Sequence, residues 1–265
     1  MALVDTGLLG RYYFDEAASG TAPTQIDDFS GNAYHLTPDY GSGNMAYTEV
    51  AGNRGLESTS VTGTQRAAHR LNDSSDTVRD GIDGSTTATL EMVFDPDSFT
   101  GSGSRIWGLN GGSGENGSFI LKATSTTSYT VAINNTDSPG FNPSISARAV
   151  VHVVFDSTEG TQDDRVRVYV NGSLNQSLGA DMSIGSSATI TLGSSMDLIA
   201  LNRANSTSYD RSMDGRFFYS AIYSSALTSG NVSTNYTILS SDDDEPVAGG
   251  SSIPAIVNSY RQRMS

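Results

Sequence analysis

The chain has 265 residues, 29 of them acidic and 15 basic, and it carries a net charge of −14 at pH 7 without any cysteine. This charge disfavours nucleic acids and anionic membranes as partners, and the lack of cysteine excludes disulfides and thiol chemistry. No apolar run approaches the roughly 20 residues of a membrane helix, so no membrane insertion is expected. The length suits one large β domain, since all-β sandwiches often run to roughly 200–250 residues.

Short alternating segments separated by turn-forming residues run through most of the chain. The first strand is predicted over residues 8–14, and in residues 86–94 the alternation places Leu90, Met92 and Phe94 on one face. Further strands are predicted over residues 104–109, 117–123, 128–134, 148–156, 188–192, 197–201 and 215–223. Residues 148–156 are apolar on both faces, which is typical of a central strand. Many short strands with frequent turns predict an antiparallel two-sheet β-sandwich.

The stretch "RVRVYVNGSLNQSL", residues 165–178, contains the strongest local signal. Val166, Val168 and Val170 alternate with polar residues, so they share one face of a strand. Asn171-Gly172 follows, and both residues tolerate the positive φ angles of a tight hairpin turn. The pattern predicts a β-hairpin whose three valines lie in the core.

Four stretches together resemble a laminin-G-like domain of the concanavalin A-like lectin/glucanase superfamily. "GLLGRYYFDEAASGTAPTQIDDFSGNAYHLT" is similar to the opening strand and the Asp-x-Ser-Gly-Asn loop of that family, and "ATLEMVFDPDS" to its next motif, with Met92 where Trp is usual. "VVHVVFD…RVRVYVNGSL" and "MDGRFFYSAIYSSALTSGNV" resemble its His-Val-Ala strand with hairpin and its closing segment. The resemblance covers residues 8 to about 239. It implies a jelly roll of two packed antiparallel sheets that recognises glycans or proteins and does not catalyse a reaction.

The resemblance also bears on metal binding. Relatives often use an Asp pair in the closing segment to bind calcium, but this chain has Phe218 and Tyr219 there. Asp15, Asp27 and Asp28 remain close together in sequence, and oxygen ligands on loops suit calcium. The alternative is a solvated acidic loop. No cofactor is therefore expected to be required, and calcium is the one metal that these residues would suit.

Candidate catalytic residues are few. The paired carboxylates of the superfamily's glycan hydrolases, two or four residues apart on one strand face, have no clear counterpart. Glu91 is expected to point outward, and His152 to be a packed histidine on a buried strand. His35 and His69 have no Cys or His partner at metal-binding spacing. The sequence therefore predicts a protein that is not an enzyme.

Glycan binding would need exposed aromatic rings on loops, with amides nearby for the hydroxyl groups. Residues that fit this description are Tyr40, Asn44, Tyr47 and Tyr209, with Tyr34 as a further candidate. Trp107 lies within an apolar strand and is expected in the core.

The C-terminus differs in composition from the rest. Residues 1–239 are assigned to the sandwich, residues 240–252 to an acidic Gly/Ser linker and residues 253–265 to a tail. Apolar residues of the tail recur at helical spacing, which predicts a short helix that docks on another copy or on a different virion protein. The predicted docking residues are Ile253, Ile256, Val257, Tyr260, Arg261 and Arg263. The alternative is a frayed tail.

The biological setting is inferred from context. Laminin-G-like domains usually work outside cells, yet this sequence begins at Met1 and reaches its first strand within ten residues without an export signal. A virion protein reaches the exterior by lysis, so we expect a surface component of a prokaryotic virus: a capsid decoration, fibre or adhesin that could bind a cell-surface polysaccharide. The alternatives are a secreted, extracellular carbohydrate-binding protein of bacteria or archaea and a glycan-degrading enzyme.

Overall fold

The computed structural model describes residues 2–40, 45–50, 52–59, 65–71, 76–101, 103–110, 117–192, 198–202, 211–241 and 243–244. Its strands are β1 Leu8–Tyr13, β2 Thr37–Tyr40, β3 Ala46–Val50, β4 Asn53–Ser58, β5 Gln65–Arg70, β6 Thr87–Phe99, β7 Ser104–Asn110, β8 Phe119–Ser125, β9 Ser128–Ile133, β10 Thr136–Asp137, β11 Ala149–Asp156, β12 Val166–Val170, β13 Ser173–Ser177, β14 Leu198–Leu201 and β15 Met213–Tyr223. The helices are α1 Thr77–Ile82 and α2 Ser229–Leu239, with a 3-10 turn at Asp163–Arg165.

The strands form two antiparallel sheets. The eight-stranded sheet has the order β13-β12-β11-β6-β15-β4-β3, and β1 pairs with the second half of β15, beyond the part that pairs with β4. The seven-stranded sheet has the order β10-β9-β8-β7-β14-β5-β2. The predicted two-sheet antiparallel β-sandwich is confirmed.

The main core lies between the sheets, where alternation along the strands predicts it. Leu90, Met92 and Phe94 on β6 all belong to this core, as does Trp107, whose indole Nε1–H donates to the Ala221 carbonyl at 2.9 Å. The predicted central strand, β11, lies between β12 and β6 and is buried on both faces.

The predicted hairpin is formed by β12 and β13. Asn171 and Gly172 have φ angles of 49° and 77°, so both adopt the left-handed conformation that the tight turn requires. Val166 and Val168 are fully buried, whereas Val170 is half-buried and packs against the edge of the core.

One predicted strand is wrong. Residues 188–192 form no strand, although Ile190 and Leu192 are buried as their alternation suggests. The backbone of Ile190 exchanges hydrogen bonds with the 84–85 turn, and the Leu192 amide donates to Asp83 Oδ1 at 2.9 Å. Loops and side chains, and not a neighbouring strand, therefore supply the hydrogen-bond partners of the backbone in this segment.

A second apolar cluster covers the outer face of the eight-stranded sheet. Helix α2, which the sequence did not predict, packs there with Val232 and Leu239 against residues of β6, β11 and β15. Its N-terminus is closed by a capping box between Thr228 and Asn231. The predicted tail helix is a different segment and lies outside the described residues. Neither described helix is long and apolar enough to span a bilayer.

Arg148 contacts the C-terminal end of α2 and holds it against the sheet. Its guanidinium donates to the Leu239 carbonyl at 2.8 Å, pairs with Asp243 and lies over the Phe218 ring at 5.3 Å. A cation at the carboxyl end of a helix is favourable because carbonyl groups are exposed there. Asp243 is buried by this contact, so the packed part of the chain extends past residue 240, where the sequence places the start of a solvated linker.

Candidate functional site

The side chain of Asp28 holds together the loop of residues 26–36, which we call the Asp28 loop. Asp28 Oδ1 accepts the backbone N–H groups of Arg11 and Ser30, and Oδ2 accepts the Ser30 hydroxyl and the Tyr34 N–H. Ser30 and Asn32 in turn donate to the Leu9 carbonyl. The Asp-x-Ser-Gly-Asn motif therefore ties this loop to β1.

The three aspartates predicted as calcium ligands do not form a metal cluster in the described structure. Asp28 is occupied by the loop, and Asp27 Oδ1 lies 2.7 Å from Gln25 Nε2 and 3.0 Å from His35 Nδ1. Within the described ranges no group of three or more His, Asp or Glu side chains is placed to hold a metal ion. Calcium binding stays a prediction.

Glu16, next to Asp15, lies in the same acidic region and is partly buried. It accepts the Asp27 N–H at 2.7 Å, and the Tyr47 hydroxyl lies 3.4 Å away. Desolvation by burial is the largest influence and raises the pKa of Glu16 to about 8, although the Asp27 hydrogen bond opposes it. The carboxylate is thus held where its charge is poorly stabilised.

Glu91 is 0% exposed, although the sequence gives it an outward position on its strand. It does point away from the space between the sheets, but α2 covers that outer face of β6. His152 is also 0% exposed and lies opposite Glu91 in the β6–β11 register. The expected packed histidine is confirmed, although it packs against a carboxylate.

Four side chains surround the Glu91 carboxylate. Oε1 accepts the hydroxyls of Tyr219 and Tyr223, both at 2.9 Å. Oε2 lies 2.8 Å from His152 Nε2 and accepts the Asn235 amide at 2.6 Å. These residues come from β6, β11, β15 and α2, so one buried carboxylate joins three strands and the helix. We call this set the Glu91 network.

The network continues into the N-terminal segment. Arg11 Nε donates to the Tyr219 hydroxyl at 3.1 Å, and the same guanidinium donates to the Val4 carbonyl and pairs with Asp5 at 2.8 Å. The Val4 N–H donates to Asn235 Oδ1 at 2.9 Å. Residues before β1 are thereby attached to both the sheet and α2.

The electrostatics of the network favour a charged Glu91. Burial raises the pKa of the Glu91 carboxyl, but the hydrogen bond and charge of His152, with the bonds from Asn235 and Tyr219, outweigh it and hold the pKa below its ordinary value. Desolvation raises the pKa of Tyr219 and Tyr223 well above normal, so both remain neutral donors. The Glu91–His152 pair resembles an acid–base couple, but neither side chain reaches solvent, and its hydrogen bonds join β6, β11, β15 and α2.

A second histidine–carboxylate pair lies at the rim of the sandwich, where His69 is partly exposed although Asp76 is buried. His69 Nε2 is 3.0 Å from Asp76 Oδ2, and the His69 side chain is 28% exposed. The Tyr34 ring meets the imidazole edge-on, with centroids 5.0 Å apart, and is also partly exposed. We call Tyr34, His69 and Asp76 the rim site.

Local structure explains why the rim site forms. His69 has the same parity on β5 as the core residue Ala67, and it lies near the end of the strand, where that face reaches the rim. Asp76 is the N-cap of α1, with Oδ1 accepting the N–H groups of Val78 and Arg79. The Thr77 N–H donates to the Tyr34 hydroxyl at 2.5 Å. The start of α1 therefore fixes both rings.

The predicted glycan-binding residues have mixed outcomes. Tyr47 is only 1% exposed and its ring lies in the core, which corrects the expectation of an exposed ring. Tyr40 ends β2, but its side chain is outside the described part, and Asn44 and Tyr209 lie outside the described residues altogether. The docking residues of the predicted tail, residues 253–263, also lie outside them. Among the considered aromatics whose side chains the structure describes, only Tyr34 lies at a partly exposed site.

The single lysine belongs to a buried cationic group on the outer face of the seven-stranded sheet. Lys122 lies opposite Arg105 across β7 and β8 and pairs with Asp137 at 2.5 Å. Desolvation lowers the pKa of Lys122, the Asp137 ion pair opposes this, and Arg105 and Arg211 add to the lowering. Lys122 and Arg105 are both buried, so a ligand in solution would not contact their cationic groups.

Comparisons with known proteins support the fold. No protein-family model matches the sequence, and no curated protein is similar to it. The structure resembles a Trypanosoma rangeli sialidase in complex with sialic acid, with a TM-score of 0.59 and 16% identity over 93% of this chain and 35% of the sialidase. It also resembles the binding domain of Botulinum neurotoxin DC in complex with rat synaptotagmin II, with a TM-score of 0.60 and 10% identity over 89% of this chain and 52% of that one. The chain thus spans a third to a half of these proteins, and the likeness, consistent with a concanavalin A-like sandwich, concerns the fold.

Proposed function

We propose that this chain is a non-catalytic recognition module of the laminin-G-like type that binds a cell-surface glycan at the rim site. The observation that carries the proposal is the pair of partly exposed rings, Tyr34 and His69, each held by a hydrogen bond with the start of α1, where Thr77 donates to Tyr34 and Asp76 accepts from His69. A tyrosine ring combines an apolar face with a polar tip, and an imidazole supplies a further polar edge. Because both rings are already fixed, binding would lose little side-chain entropy.

The structural neighbours suggest which glycans to test first. Sialic acid is the ligand named for the Trypanosoma rangeli sialidase, and another complex of the Botulinum neurotoxin DC binding domain contains SialylT. Botulinum neurotoxin type C is described as entering cells through two ganglioside molecules. These ligands are named for longer proteins whose sequences have low identity to this chain. Sialylated glycans are therefore the first ligand class to test, ahead of neutral polysaccharides.

The test compares two histidines that each pair with an aspartate at 3.0 Å. The full chain is applied to an array of sialylated and neutral glycans together with the variants His69→Ala and His35→Ala. His69→Ala is expected to weaken binding by roughly tenfold or more, and His35→Ala to leave it unchanged. Equal binding by all three proteins, or no binding of any glycan by the parent, would rule out the rim site as a glycan site.

The absence of catalysis is a separate part of the proposal. Its support is that the Glu91–His152 pair is fully buried, while Asp76 of the rim site is committed to capping α1. We expect no turnover when the protein is incubated with sialosides and polysaccharides and the products are separated by chromatography. Turnover that disappears in Glu91→Gln would establish the enzymatic alternative.

We further propose that the module works on the surface of a virus particle, where it meets a host polysaccharide and where the tail docks on another particle protein. An absence of cysteine and a strongly negative charge suit a protein that stays folded and soluble in any redox environment. Labelling of purified particles with a specific antibody in electron microscopy tests the location. Substituting Ile256→Asp together with Val257→Asp tests the tail, since attachment to the particle should then fail. Export of the chain from an uninfected cell would favour the secreted carbohydrate-binding alternative.

A further inference from the structure

The two sheets have five outer edges, because β1 forms an additional edge of the eight-stranded sheet where it pairs with β15. This edge is covered by the Asp28 loop, whose Phe29 N–H donates to the Arg11 carbonyl. The other four edges are protected to different degrees. Unpaired N–H and C=O groups on an edge strand readily pair with another strand, so edges are usually blocked by covering segments, prolines, charges or short length. In the seven-stranded sheet, β2 carries Pro38 within its four residues, and β10 has only two residues. In the eight-stranded sheet, β3 is covered because Tyr47 exchanges backbone hydrogen bonds with Gly20 and Thr21.

The remaining edge, β13, is open. Its five residues, Ser-Leu-Asn-Gln-Ser, contain no proline and no charged side chain, in a chain with a net charge of −14. Among the described strands, β13 pairs only with β12. Its one irregularity is a bulge at Asn175, which adds twist to the strand but introduces no charge.

Beside this edge lies an apolar surface. Leu174 is 53% exposed, and it is the only large hydrophobic residue of the described structure that is so exposed. It lies opposite Tyr169, which belongs to the apolar cluster under α2. Tyr236 of α2 packs against the hairpin turn, where a Cβ on Gly172 would come within 2.6 Å of its ring. The β13 edge therefore continues into a patch formed by Leu174 and Tyr236.

We infer that the β13 edge is the surface through which two copies of this chain pair. In a contact with two-fold symmetry, the same strand faces itself in antiparallel orientation, so a charge near the middle of the strand would lie close to the same charge on the other copy. An uncharged strand is what such a contact requires, and β13 supplies it on an otherwise acidic protein. The pairing joins the two eight-stranded sheets edge to edge and brings Leu174 of each copy under cover.

The experiment measures the self-association of the full chain by sedimentation equilibrium over roughly a hundredfold range of concentration. A monomer–dimer equilibrium is expected. Leu174→Lys should weaken the dimer by roughly tenfold or more, since it places two cations near each other across the two-fold axis. The matched control is Thr124→Lys, which adds the same charge at an exposed position on β8 and should leave the dimer unchanged. Circular dichroism should show that both variants are folded.

Two further measurements distinguish pairing through the β13 edge from other modes of association. Hydrogen exchange of the amides of residues 173–177 should slow as the dimer forms, because strand pairing protects them. The full-length variant with Ile256→Asp and Val257→Asp should still dimerise, whereas loss of the dimer would show that the tail is the contact. A chain that stays monomeric throughout, or a Leu174→Lys dimer as tight as the parent, would overturn the proposal.

Discussion

The Glu91 network and the rim site contain the same chemical pair in opposite surroundings. His152 Nε2 lies 2.8 Å from Glu91, and His69 Nε2 lies 3.0 Å from Asp76, so the two distances are nearly equal. Glu91 and His152 are 0% exposed, whereas His69 is 28% exposed. Coulomb interactions and unmet hydrogen bonds weigh far more in a buried site than beside water. Burial, and not the residue pair itself, therefore makes one pair a contributor to stability and leaves the histidine of the other in contact with solvent.

The largest expected effect comes from removing the buried carboxylate. Glu91→Ala would leave His152, Asn235 and two tyrosine hydroxyls without their acceptor, and it should lower the free energy of unfolding by about 3–5 kcal/mol. Urea unfolding followed by tryptophan fluorescence measures the change. The control is Glu49→Ala, which removes a carboxylate from the exposed ion pair with Arg54 and should change the same quantity by less than about 1 kcal/mol. Equal losses in the two variants would contradict the contrast between buried and exposed pairs.

A smaller loss is expected when the helix is disconnected from the network. Asn235→Ala removes the donor to Glu91 Oε2 and the acceptor of the Val4 N–H, and it should lower the free energy of unfolding by about 1–3 kcal/mol. Limited proteolysis should also cut residues 2–7 faster, because their attachment to α2 is lost. Ser233→Ala, an exposed position on the same helix, should change neither quantity. Unchanged proteolysis in Asn235→Ala would show that the contacts with Arg11, Ser224 and Ser225 are sufficient to hold the N-terminal segment.

Glu16 is an intermediate case, since it is partly buried and no cation contributes to its pKa of about 8. Its folded pKa lies above the ordinary value of 4.5, so its contribution to stability is fully present below that value and is lost as the pH rises towards 8. Glu16→Gln should therefore match the parent near pH 4 and exceed it above pH 8, by about 1 kcal/mol after allowance for solvent screening. Thermal melts across this pH range test the difference, and a constant offset between the two proteins would contradict it.

The smallest effect on stability is expected at the rim. His69→Ala should lower the free energy of unfolding by less than about 1 kcal/mol, because His69 is partly exposed and water screens its interaction with Asp76. The same variant is the one expected to lose glycan binding, so stability and binding should separate. A loss of several kcal/mol would show that the rim histidine is part of the core, and that reduced binding reflects unfolding.

Local patterns in the sequence determined much of the sandwich. Period-two alternation located β6 and β12, a run apolar on both faces located β11, and Asn171-Gly172 located the turn of the hairpin, because these signals depend only on neighbouring residues. Strands β2 to β5, which lie at or next to the edges of the sheets, carry weaker alternation and were not predicted. The buried residues Ile190 and Leu192 alternate as in a strand, but hydrogen bonds to distant loops decide that they are not one.

Only the tertiary structure decided how deeply each carboxylate is buried and which side chains it contacts. In sequence, Glu91 is an outward residue of an amphipathic strand, and nothing near it indicates that Asn235, 144 positions away, will cover it. Asp76 and His69 are near each other in sequence, so their pairing has a local component, but Tyr34 joins them through a long-range contact with Thr77. Parity along a strand gives the direction of a side chain, whereas its exposure depends on what the rest of the chain packs on that face. For this protein the sequence therefore determined the central strands and the hairpin, and the packing of α2 and α1 decided which histidine is fully buried beside its carboxylate and which reaches the surface.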